Sequence, residues 1–500
     1  MTEAISQQVL DGVRKSMEPY LRDDVQFYQH QITGIRDAMR MRNFLNADDM
    51  GLGKSLQAIT VAAGDIIWGR AEKVIVIAPV TLKGNWSDEF EKFTRIPAVI
   101  LGQTIDPKNP ERLKAMTPAQ RKVQLDQFAS ATGPRVLITN YEQIDKHLVE
   151  LNSMKFDIAI FDEAHFLKNP KAKRTKACHK LRTKRKFCLT GTPMLNRVDE
   201  LWGILHMIDP QGYPSWYTFR NRYCVFGGYG GKEIIATKNE KDLQERLQRV
   251  MIRRLKKDVL DLPEVQYISK RIDLSDKQRK LYDQVEKDMQ IELAGSDTPS
   301  DIENHLTKYL RLKQICGTTL AFTGEDDSAK LDQAVADAIE LIENGNKIVV
   351  FTQFRDVLEA FCERLDTALP SAPIWELHGG VPQHERQPHV RAWAESTAPG
   401  AIVCMLQVAS VGLNMTAARH ALFLDKLWVP GLNQQAVDRL HRIGASTTQS
   451  VQILEYHMKG TIETRVEAVL RNKSKLFGTI VNEVDFKKKL LAAIAANQAA

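Results

Sequence analysis

Short runs of apolar, largely β-branched residues alternate along the chain with longer stretches of mixed polarity. In the first half such runs occur at 73–79, 135–141, 156–165 and 186–193. Runs of this length are typical of buried strands in a parallel sheet. Because helical stretches of about 10–15 residues separate them, the pattern predicts right-handed βαβ units.

The second half repeats the pattern, with apolar runs at 347–354, 401–407 and 420–426. Two sets of such units predict the α/β fold class, with two doubly wound parallel-sheet lobes. The intervening region, about 196–346, has no run of this kind and contains helical patterns with charged faces. We therefore expect a mainly helical insertion and connector between the lobes.

These patterns divide the chain into two domains, as 500 residues are too many for one ordinary core. The first domain is expected at 1–260 and includes the helical insertion from about residue 196. The second is expected at 261–500, with a helical protrusion at about 275–320 and a C-terminal helical tail.

The composition is that of a soluble globular protein, with 43% apolar and 26% charged residues. No apolar run approaches the roughly 20 residues that span a bilayer. No charged-then-apolar leader follows Met1, so we expect neither membrane insertion nor secretion. The six cysteines include no pair at zinc-site spacing, and we expect reduced thiols in a cytosolic protein.

The net charge of +7 is modest, but the positive charge is concentrated in one dense basic run. Between 168 and 186, ten of nineteen residues are Lys or Arg and none is acidic. A solvated helix face is the usual meaning of such a run. The self-repulsion here favours an anionic partner, with nucleic acid as the first candidate. The candidate contacts are Lys168, Lys171, Lys173 and Arg174.

The segment ADDMGLGKS at 47–55 lies between a plausible strand, NFLNA, and a predicted helix. Backbone amides of 50–55 would cradle phosphates, Lys54 would reach the β- and γ-phosphates, and Ser55 would ligate magnesium. The strict pattern has Gly where Asp48 stands, so a chance match stays open for this motif alone.

Two further motifs follow predicted strands. In DEAH at 162–165, Asp162 can hold magnesium at the end of its strand, and Glu163 is placed to orient or deprotonate a water molecule. The alternative is a pair of surface carboxylates. In LTGTP at 189–193, Thr190 and Thr192 could sense nucleotide state or link to DEAH, and a simple turn is an equally good interpretation.

The stretch QAVDRLHRIG at 435–444 contains two arginines three positions apart, Arg439 and Arg442. On a helix they would share one face. Most such pairs are solvated, but the phosphate loop has no arginine of its own. Phosphoryl transfer often uses an arginine delivered from elsewhere, so hydrolysis could depend on how the two domains sit.

In this order the motifs resemble helicase superfamily two, and more narrowly the Swi/Snf family of DNA-dependent ATPases. The narrower resemblance rests on four stretches: APVTLKGNWSDEFEKF (78–93), GTPMLNRVDELWGIL (191–205), MIRRLKKDVLDLPE (251–264) and VGLNMTAARHALFLDKLWVPGLNQQAVDRLHRIG (411–444). The similarity covers roughly 31–470. It implies two RecA-like lobes and a helical brace between them.

The resemblance also implies roles for individual residues. Gln31 matches the glutamine that reads the adenine edge, and Gln353 matches a motif that faces nucleic acid. Asn414 and Thr416 match a motif that couples DNA contact to the nucleotide. The implied catalytic set is Lys54, Asp162, Glu163, Arg439 and Arg442. The implied ATP-binding set is Gln31, Asp49, Met50, Gly51, Leu52, Gly53, Lys54, Ser55, Gly412, Gln435 and Asp438, with Ser55 and Asp162 for Mg²⁺.

Four positions depart from the family pattern. Asp49 replaces a glutamate and keeps its charge, and Ala445 stands where glutamine follows HRIG. Ala409 and Ser410 replace a preferred Gly pair. None removes a catalytic group, so an active ATPase is expected.

The expected activity is ATP hydrolysis stimulated by DNA and coupled to translocation on the duplex. One alternative is a strand-separating helicase, whose wedge would lie near Trp216 and Tyr217. The other is a nucleotide-switched DNA clamp that serves a partner enzyme. We recognise no histone-reading or nuclease segment, which favours a minimal motor of bacteria or their viruses. Such a motor is expected as a monomer in the bacterial or virus-infected host cytoplasm.

Overall fold

The computed structural model describes residues 20–22, 25–106, 109–194, 197–227, 233–260, 264–293, 309–409, 413–427, 430–441 and 450–464. The chain divides into two compact units, with the boundary between Leu260 and Asp261. Among the described residues no helix is long and apolar enough to cross a membrane.

The first unit is built on a seven-stranded sheet in which every neighbouring pair is parallel. Its strands are β1 (Phe44–Asn46), β2 (Lys73–Ala78), β3 (Ala98–Ile100), β6 (Arg135–Asn140), β7 (Ile158–Asp162), β8 (Arg185–Leu189) and β11 (Met251–Ile252). Their spatial order is β11-β1-β8-β7-β2-β6-β3. Two antiparallel hairpins accompany the sheet: β4 (Gln103–Asp106) with β5 (Asn109–Ala115), and β9 (Cys224–Gly227) with β10 (Glu233–Thr237).

Helices connect these strands. They are α1 (Gln29–Arg40), α2 (Lys54–Ile67), α3 (Lys83–Phe93), α4 (Pro118–Ser130), α5 (Tyr141–Lys146), α6 (Leu148–Ser153), α7 (Lys173–Lys180), α8 (Leu201–Ile208), α9 (Trp216–Tyr223), α10 (Glu240–Gln248) and α11 (Lys256–Val259). Short 3₁₀ turns lie at Val80–Leu82, Ala164–Leu167 and Val198–Glu200.

The second unit contains a six-stranded sheet, again with only parallel pairs. Its strands are β12 (Gln266–Ile272), β13 (Ile348–Thr352), β14 (Ile374–Leu377), β15 (Ala401–Met405), β16 (His420–Phe423) and β17 (Gln452–Met458), in the order β12-β17-β16-β13-β15-β14. Its helices are α12 (Asp276–Leu293), α13 (Leu320–Thr323), α14 (Ala329–Glu343), α15 (Arg355–Ala368), α16 (Gln383–Glu395), α17 (Leu406–Ala409) and α18 (Pro430–Val437), and 309–317 are also helical.

The predicted fold class, two parallel-sheet α/β lobes, is confirmed. The central strands are apolar along their whole length because helices cover both faces of each sheet. Residues 74–78 of β2 and 348–351 of β13 are completely buried, for example. The even burial explains why these strands were visible in the sequence as continuous runs.

The described residues of the region 196–346 are mainly helical, as expected, but they also include the strands β9, β10, β11 and β12, which the sequence did not indicate. Strand β12 was missed because it is an edge strand whose residues are mostly exposed, so its sequence QYISKRI lacks a continuous apolar run. The predicted C-terminal helical tail lies outside the described residues.

The strand order places the functional loops side by side. Strand β8 lies between β1 and β7, and Leu189 pairs with Asn46 on one side and with Asp162 on the other. The three loops that follow these strands therefore leave the same edge of the sheet. In doubly wound folds this carboxyl edge is where ligands bind.

Candidate nucleotide site

The phosphate loop connects β1 to the first turn of α2. Gly51 and Gly53 have φ angles of 83° and 76°, a region that disfavours other residues. A Cβ on Gly53 would also lie 2.3 Å from Nε2 of Gln31. The loop therefore needs glycine at 53 for two independent reasons. It places the amide-rich end of α2 where an anion would be stabilised.

Lys54 begins α2, and its ammonium group donates to the backbone carbonyls of Asp48 and Asp49 at 2.8 and 3.1 Å. A Cβ on Gly191, in the loop after β8, would lie 3.4 Å from Nζ of Lys54 and 2.6 Å from Cγ of Met50. The LTGTP segment thus packs directly on the phosphate loop. The small residue at 191 permits that approach.

Gln31 lies on α1 and is buried against the same loop. Its Oε1 accepts from the backbone N–H of Tyr28, and its Nε2 donates to the carbonyl of Leu52 at 3.3 Å. His30 contacts the same carbonyl through Nε2 at 3.1 Å. Burial lowers the pKa of His30, so a neutral ring is favoured at this position. Adenine recognition by Gln31 stays a prediction.

Asp162 ends β7 and is held from three directions. The indole N–H of Trp86 donates to its Oδ2 at 2.8 Å, and the hydroxyl of Tyr141 donates to its backbone carbonyl at 2.6 Å. Its Oδ1 accepts from the backbone N–H of Glu163 at 2.9 Å. Burial, followed by the adjacent charge of Glu163, raises the pKa of Asp162 to about 6.

Glu163 has a left-handed backbone, with φ of 48°. Such a conformation is uncommon for a residue other than glycine and is often found at functional sites. Nδ1 of His165 lies 3.1 Å from Oε2 of Glu163 and 3.2 Å from the hydroxyl of Thr190. Because the N–H of Thr190 donates to the carbonyl of Asn46 at 3.0 Å, the three loops form one hydrogen-bonded network.

The acidic pair fits a divalent cation. Asp162 and Glu163 are adjacent carboxylates, and burial together with the negative charge of Glu163 raises the pKa of Asp162. Hard cations such as Mg²⁺ prefer oxygen ligands of this kind. The hydroxyl of Ser55, in the first turn of α2, is of the same donor class.

The predicted residues of the second unit are partly described. Gln435 is buried on α18, and Oδ1 of Asp438 accepts from Nε2 of Gln434 at 3.2 Å. Arg439 is 6% exposed, and its backbone carbonyl accepts from the N–H of Met415 at 3.1 Å. Arg442 and Gly412 lie outside the described residues.

The expectation that Arg439 shares a helix face with Arg442 is not met for Arg439. Helix α18 ends at Val437, and Arg439 lies in the turn that follows, where its N–H donates to the carbonyl of Ala436. Arg439 is therefore not a helical residue, and how its side chain relates to that of Arg442, which lies outside the described residues, stays a prediction. The backbone of Arg439 is held by the turn and by the bond from Met415.

The basic run is divided in its roles. Lys171 and Lys173 are exposed, whereas Arg174 is 3.8 Å from Glu142 and covers the ring of Phe166. Lys184 pairs with Asp157 at 2.6 Å, and Arg185 pairs with Asp65. Lys184 and Arg185 at the end of the run therefore pair with acids of the same unit, whereas Lys171 and Lys173 are exposed without an ion pair of this kind among the described contacts, and Lys168 is part-buried.

The remaining predicted DNA contacts belong to the second unit. Asn414 is exposed and Thr416 is partly buried. Gln353 is 9% exposed, and its amide donates to the carbonyl of Lys426 at 3.5 Å. Contact of these side chains with nucleic acid stays a prediction.

Four residues that contact the loops of this site were not given a role from the sequence: Trp86, Tyr141, His165 and Arg254. Trp86 and Arg254 both lie in stretches that carried the family resemblance, NWSDEF and MIRRLKKD. Their roles were missed because each side chain contacts a residue far away in the sequence. Trp86 is 76 positions from Asp162, and Arg254 is 206 positions from Asp48. Sequence spacing gives no signal for such contacts.

Comparisons with known proteins agree with this architecture. The SNF2-related domain model matches residues 29–320, and the helicase conserved C-terminal domain model matches residues 330–444. The first match alone covers more than half of the chain.

Among curated relatives, an uncharacterised ATP-dependent helicase of Mycoplasma genitalium is 28% identical over 89% of this chain and 41% of its own length. A DNA annealing helicase and endonuclease of Bos taurus is 28% identical over 94% of this chain and 41% of its own length. The chain thus spans less than half the length of these relatives. The SWI2/SNF2 ATPase core of Sulfolobus solfataricus in complex with dsDNA is 24% identical, with a TM-score of 0.41 and coverage of 91% of this chain and 92% of that chain.

Membership of this family agrees with the predicted ATP hydrolase class, and curated relatives are named ATP-dependent helicases. The Swi/Snf resemblance seen in the motifs is confirmed. The chain belongs to the SNF2-related family of helicase-like proteins.

Proposed function

We propose that this chain is a DNA-stimulated ATPase that couples hydrolysis to translocation on double-stranded DNA. The observation that carries the proposal is the arrangement at one sheet edge, where Thr190 is hydrogen-bonded both to His165 of the DEAH loop and to Asn46 at the end of β1, which leads into the loop of Lys54. A phosphate-binding lysine next to a compact carboxylate pair is suited to phosphoryl transfer to water. The names of the curated relatives, which include ATP-dependent and DNA annealing helicases, support the choice of ATP and DNA.

In the proposed reaction the loop amides and Lys54 bind the phosphates, and Gln31 recognises the base. Ser55 and Asp162 would hold Mg²⁺, which when bound would offset phosphate charge. Glu163 accepts a proton from the attacking water or orients it. His165 contacts Glu163 and Thr190, so it fixes the carboxylate relative to the loop after β8. Trp86 orients Asp162.

The second unit contributes the arginines in this proposal. Arg439 and Arg442 neutralise the charge that develops on the γ-phosphate, a role that contributes about 10³–10⁵ in rate. DNA that favours engagement of the two units would then stimulate hydrolysis. The part of the basic run at Lys168, Lys171, Lys173 and Arg174, with Gln353, Asn414 and Thr416, is proposed to contact the DNA backbone.

The most informative experiment compares ATPase stimulation by duplex DNA, single-stranded DNA and RNA. The proposal expects duplex DNA to stimulate most, and stimulation to rise with duplex length beyond the binding footprint. Length-independent stimulation would favour the clamp alternative. No stimulation by any nucleic acid would overturn the proposal.

Strand displacement separates translocation from unwinding. The proposal expects removal of a third strand from a triplex and little unwinding of a forked duplex. Unwinding without triplex displacement would instead establish a strand-separating helicase, whose wedge would be sought at Trp216 and the exposed Tyr217.

Arg442→Ala tests the finger role. ATP binding should be retained, while DNA-stimulated turnover should fall by about 10³-fold or more. Normal turnover in this variant would refute the assignment.

Combined replacement of Lys171, Lys173 and Arg174 by Ala tests the basic surface. Each phosphate contact contributes about −0.9 to the slope of log K against log salt on duplex DNA, so the slope should flatten. An unchanged slope would show that these side chains are only solvated.

The proposal further expects a monomer in solution, which sedimentation can check, and a cytoplasmic location.

A further inference from the structure

A buried ion pair joins the start of the phosphate loop to a distant segment of the first unit. The carboxylate of Asp48 is inaccessible to solvent. Its Oδ1 accepts from Nε of Arg254 at 3.0 Å and from the Arg254 backbone N–H at 2.9 Å, and its Oδ2 accepts from Nη2 at 2.8 Å. Nε2 of Gln57 donates to the same Oδ2 at 3.1 Å. This is a forked arginine–carboxylate pair, which restricts orientation as well as distance.

The same residue holds the phosphate-binding lysine. The backbone carbonyl of Asp48 accepts from Nζ of Lys54 at 2.8 Å. The neighbouring residue, Asp49, provides the second carbonyl, at 3.1 Å from Nζ. Arg254 therefore fixes the side chain of the residue whose main chain positions the Lys54 ammonium.

Backbone contacts extend the connection. The N–H of Asp49 donates to the carbonyl of Arg254 at 3.0 Å, and Oδ2 of Asp49 accepts from the N–H of Lys256 at 2.9 Å. Strand β11, immediately before Arg254, pairs with β1, which leads into the loop. Residues 47–49 at the start of the phosphate loop are thus hydrogen-bonded to the segment 251–256. This segment leads towards the unit boundary at Leu260.

The first helix leaves room for the guanidinium group. A Cβ on Gly34 would lie 2.2 Å from Nη2 of Arg254 and 2.2 Å from Oε1 of Gln57. Arg254 also donates through Nη1 to the carbonyl of His30, on the same helix. Glycine in a helix interior is destabilising relative to alanine, so its presence here is consistent with a need for this space.

We propose that Arg254 is a positioning residue of the nucleotide site, acting through Asp48 to set Lys54. The inference rests on the proposed function, because it assigns Lys54 to the phosphates. It adds that the phosphate loop is set by the segment 251–256, so displacement of that segment changes affinity for ATP. Arg254 itself makes no contact with the nucleotide in this proposal.

A second ion pair in the same unit provides a matched control. Arg185 pairs with Asp65, and the two side chains are 16% and 2% exposed, against 16% and 0% for Arg254 and Asp48. Asp65 lies near the end of α2 opposite to Lys54, and a separation of eleven residues corresponds to about 16 Å along a helix. The control pair is therefore equally buried but remote from the loop.

Arg254→Lys and Arg185→Lys should both lower the thermal stability, because lysine cannot reproduce the several hydrogen bonds that each guanidinium group donates. Only Arg254→Lys should weaken binding of a fluorescent ATP analogue measured without DNA, by about tenfold or more. The KM for ATP should rise by a similar factor, with a smaller change in kcat. Hydrogen exchange should accelerate at the amides of 49–55 in this variant. Equal stability losses with unchanged affinity and exchange in both variants would show a merely structural role.

Gly34→Ala is a second test of whether Arg254 positions the nucleotide site or only stabilises the fold. Alanine has the higher helix propensity, but its methyl group would collide with Arg254 and Gln57, so stability should fall in either case, and a purely structural role expects normal ATP affinity in the folded variant. The proposal expects weaker ATP binding, because the methyl group displaces the Arg254 guanidinium. Unchanged ATP affinity in Gly34→Ala and Arg254→Lys together would overturn the inference. Failure of the unmodified chain to bind the analogue would instead overturn the proposed function.

Discussion

Acidic residues lie at the carboxyl edges of both sheets, but the charged and polar groups around them differ. In the first unit, Asp162 and Glu163 are adjacent acids, and burial with mutual repulsion raises the pKa of Asp162. In the second unit, Asp425 accepts from the hydroxyl of Thr352 and from the N–H of Gln353, and it lies 3.9 Å from Nζ of Lys313.

A second buried pair reinforces the edge of the second unit. Nζ of Lys330 donates to Oε1 of Glu463 at 2.6 Å and to the carbonyl of Leu424 at 2.9 Å. The other oxygen of Glu463 accepts from the N–H of Met458 at 2.9 Å. Asp425 and Glu463 at this edge are thus paired with buried lysines, whereas the side chain of Asp162 at the first edge accepts from two neutral donors, the Trp86 indole and the Glu163 N–H.

The difference separates a binding site from a structural network. Buried charges that the fold itself neutralises contribute to one arrangement of the chain, and removal of one partner is costly. Carboxylates left with excess charge are destabilising unless a ligand completes them, a condition typical of active sites. The contrast predicts that matched substitutions at the two edges have opposite consequences.

Among substitutions at the two sheet edges, Glu163→Gln should produce the largest functional effect. Loss of the group that accepts a proton from water should reduce ATP hydrolysis by about 10²–10⁴-fold, with ATP binding retained. Steady-state ATPase assays and retention of bound ATP on rapid filtration would measure both properties.

Glu463→Gln is the matched control at the second edge. It weakens the pair with Lys330, so it should lower stability while the folded protein keeps its hydrolysis rate. A comparable loss of hydrolysis in both variants, without unfolding, would remove the distinction between the edges.

Lys330→Met should cause the largest loss of stability. It leaves Glu463 buried without its cation, at a cost of about 3–5 kcal/mol. Urea unfolding followed by circular dichroism would measure the change. Because a buried pair can often be replaced by apolar residues, Lys330→Met combined with Glu463→Leu should recover much of the loss. A loss below about 1 kcal/mol in the single variant would contradict the assigned role.

Trp86→Phe should have an intermediate effect, confined to the first edge. It removes the indole donor to Asp162 but keeps an aromatic ring near Phe90. A hydrogen bond to a charged group contributes about 1.5–3 kcal/mol, so the Mg²⁺ concentration required for half-maximal hydrolysis should rise about tenfold.

Trp393→Phe controls for packing, because Trp393 is completely buried and its Nε1 has no hydrogen-bond partner within the described residues. This variant should lower stability without changing the Mg²⁺ requirement. Equal Mg²⁺ requirements in the two variants would show that the Trp86 indole does not orient the acid.

The structural features that could be predicted from the sequence are those formed by neighbouring residues, namely the buried strands and the loop motifs that follow them. Buried strands such as β2 and β13 appear as continuous apolar runs, and the loops after β1, β7 and β8 carry their chemistry in adjacent positions. Edge strand β12 and the turn at Arg439 were not predicted, because exposure and tertiary contacts override local pattern there. The contacts of Trp86 and Arg254 join residues far apart in sequence, so only the folded chain reveals them.

The smallest expected effect is a difference in pH dependence between Asp162→Asn and Asp425→Asn. The native pKa of Asp162 is about 6, above the value of about 3.9 for an unfolded chain. Between these values the native state binds more protons than the unfolded state, so stability falls as pH rises towards 6. At pH 7.5, without divalent cations, Asp162→Asn should therefore melt above the unmodified protein.

That advantage should shrink towards pH 5, where Asp162 is largely protonated, and should also shrink when Mg²⁺ binds the acid at pH 7.5. Asp425→Asn should melt below the unmodified protein at pH 7.5, since it weakens the contact with Lys313. Scanning calorimetry across this range would test both signs. If Asp162→Asn melted lower at every pH, Asp162 would be as well compensated as Asp425, and excess charge could not be the reason for the cation site proposed at the first edge.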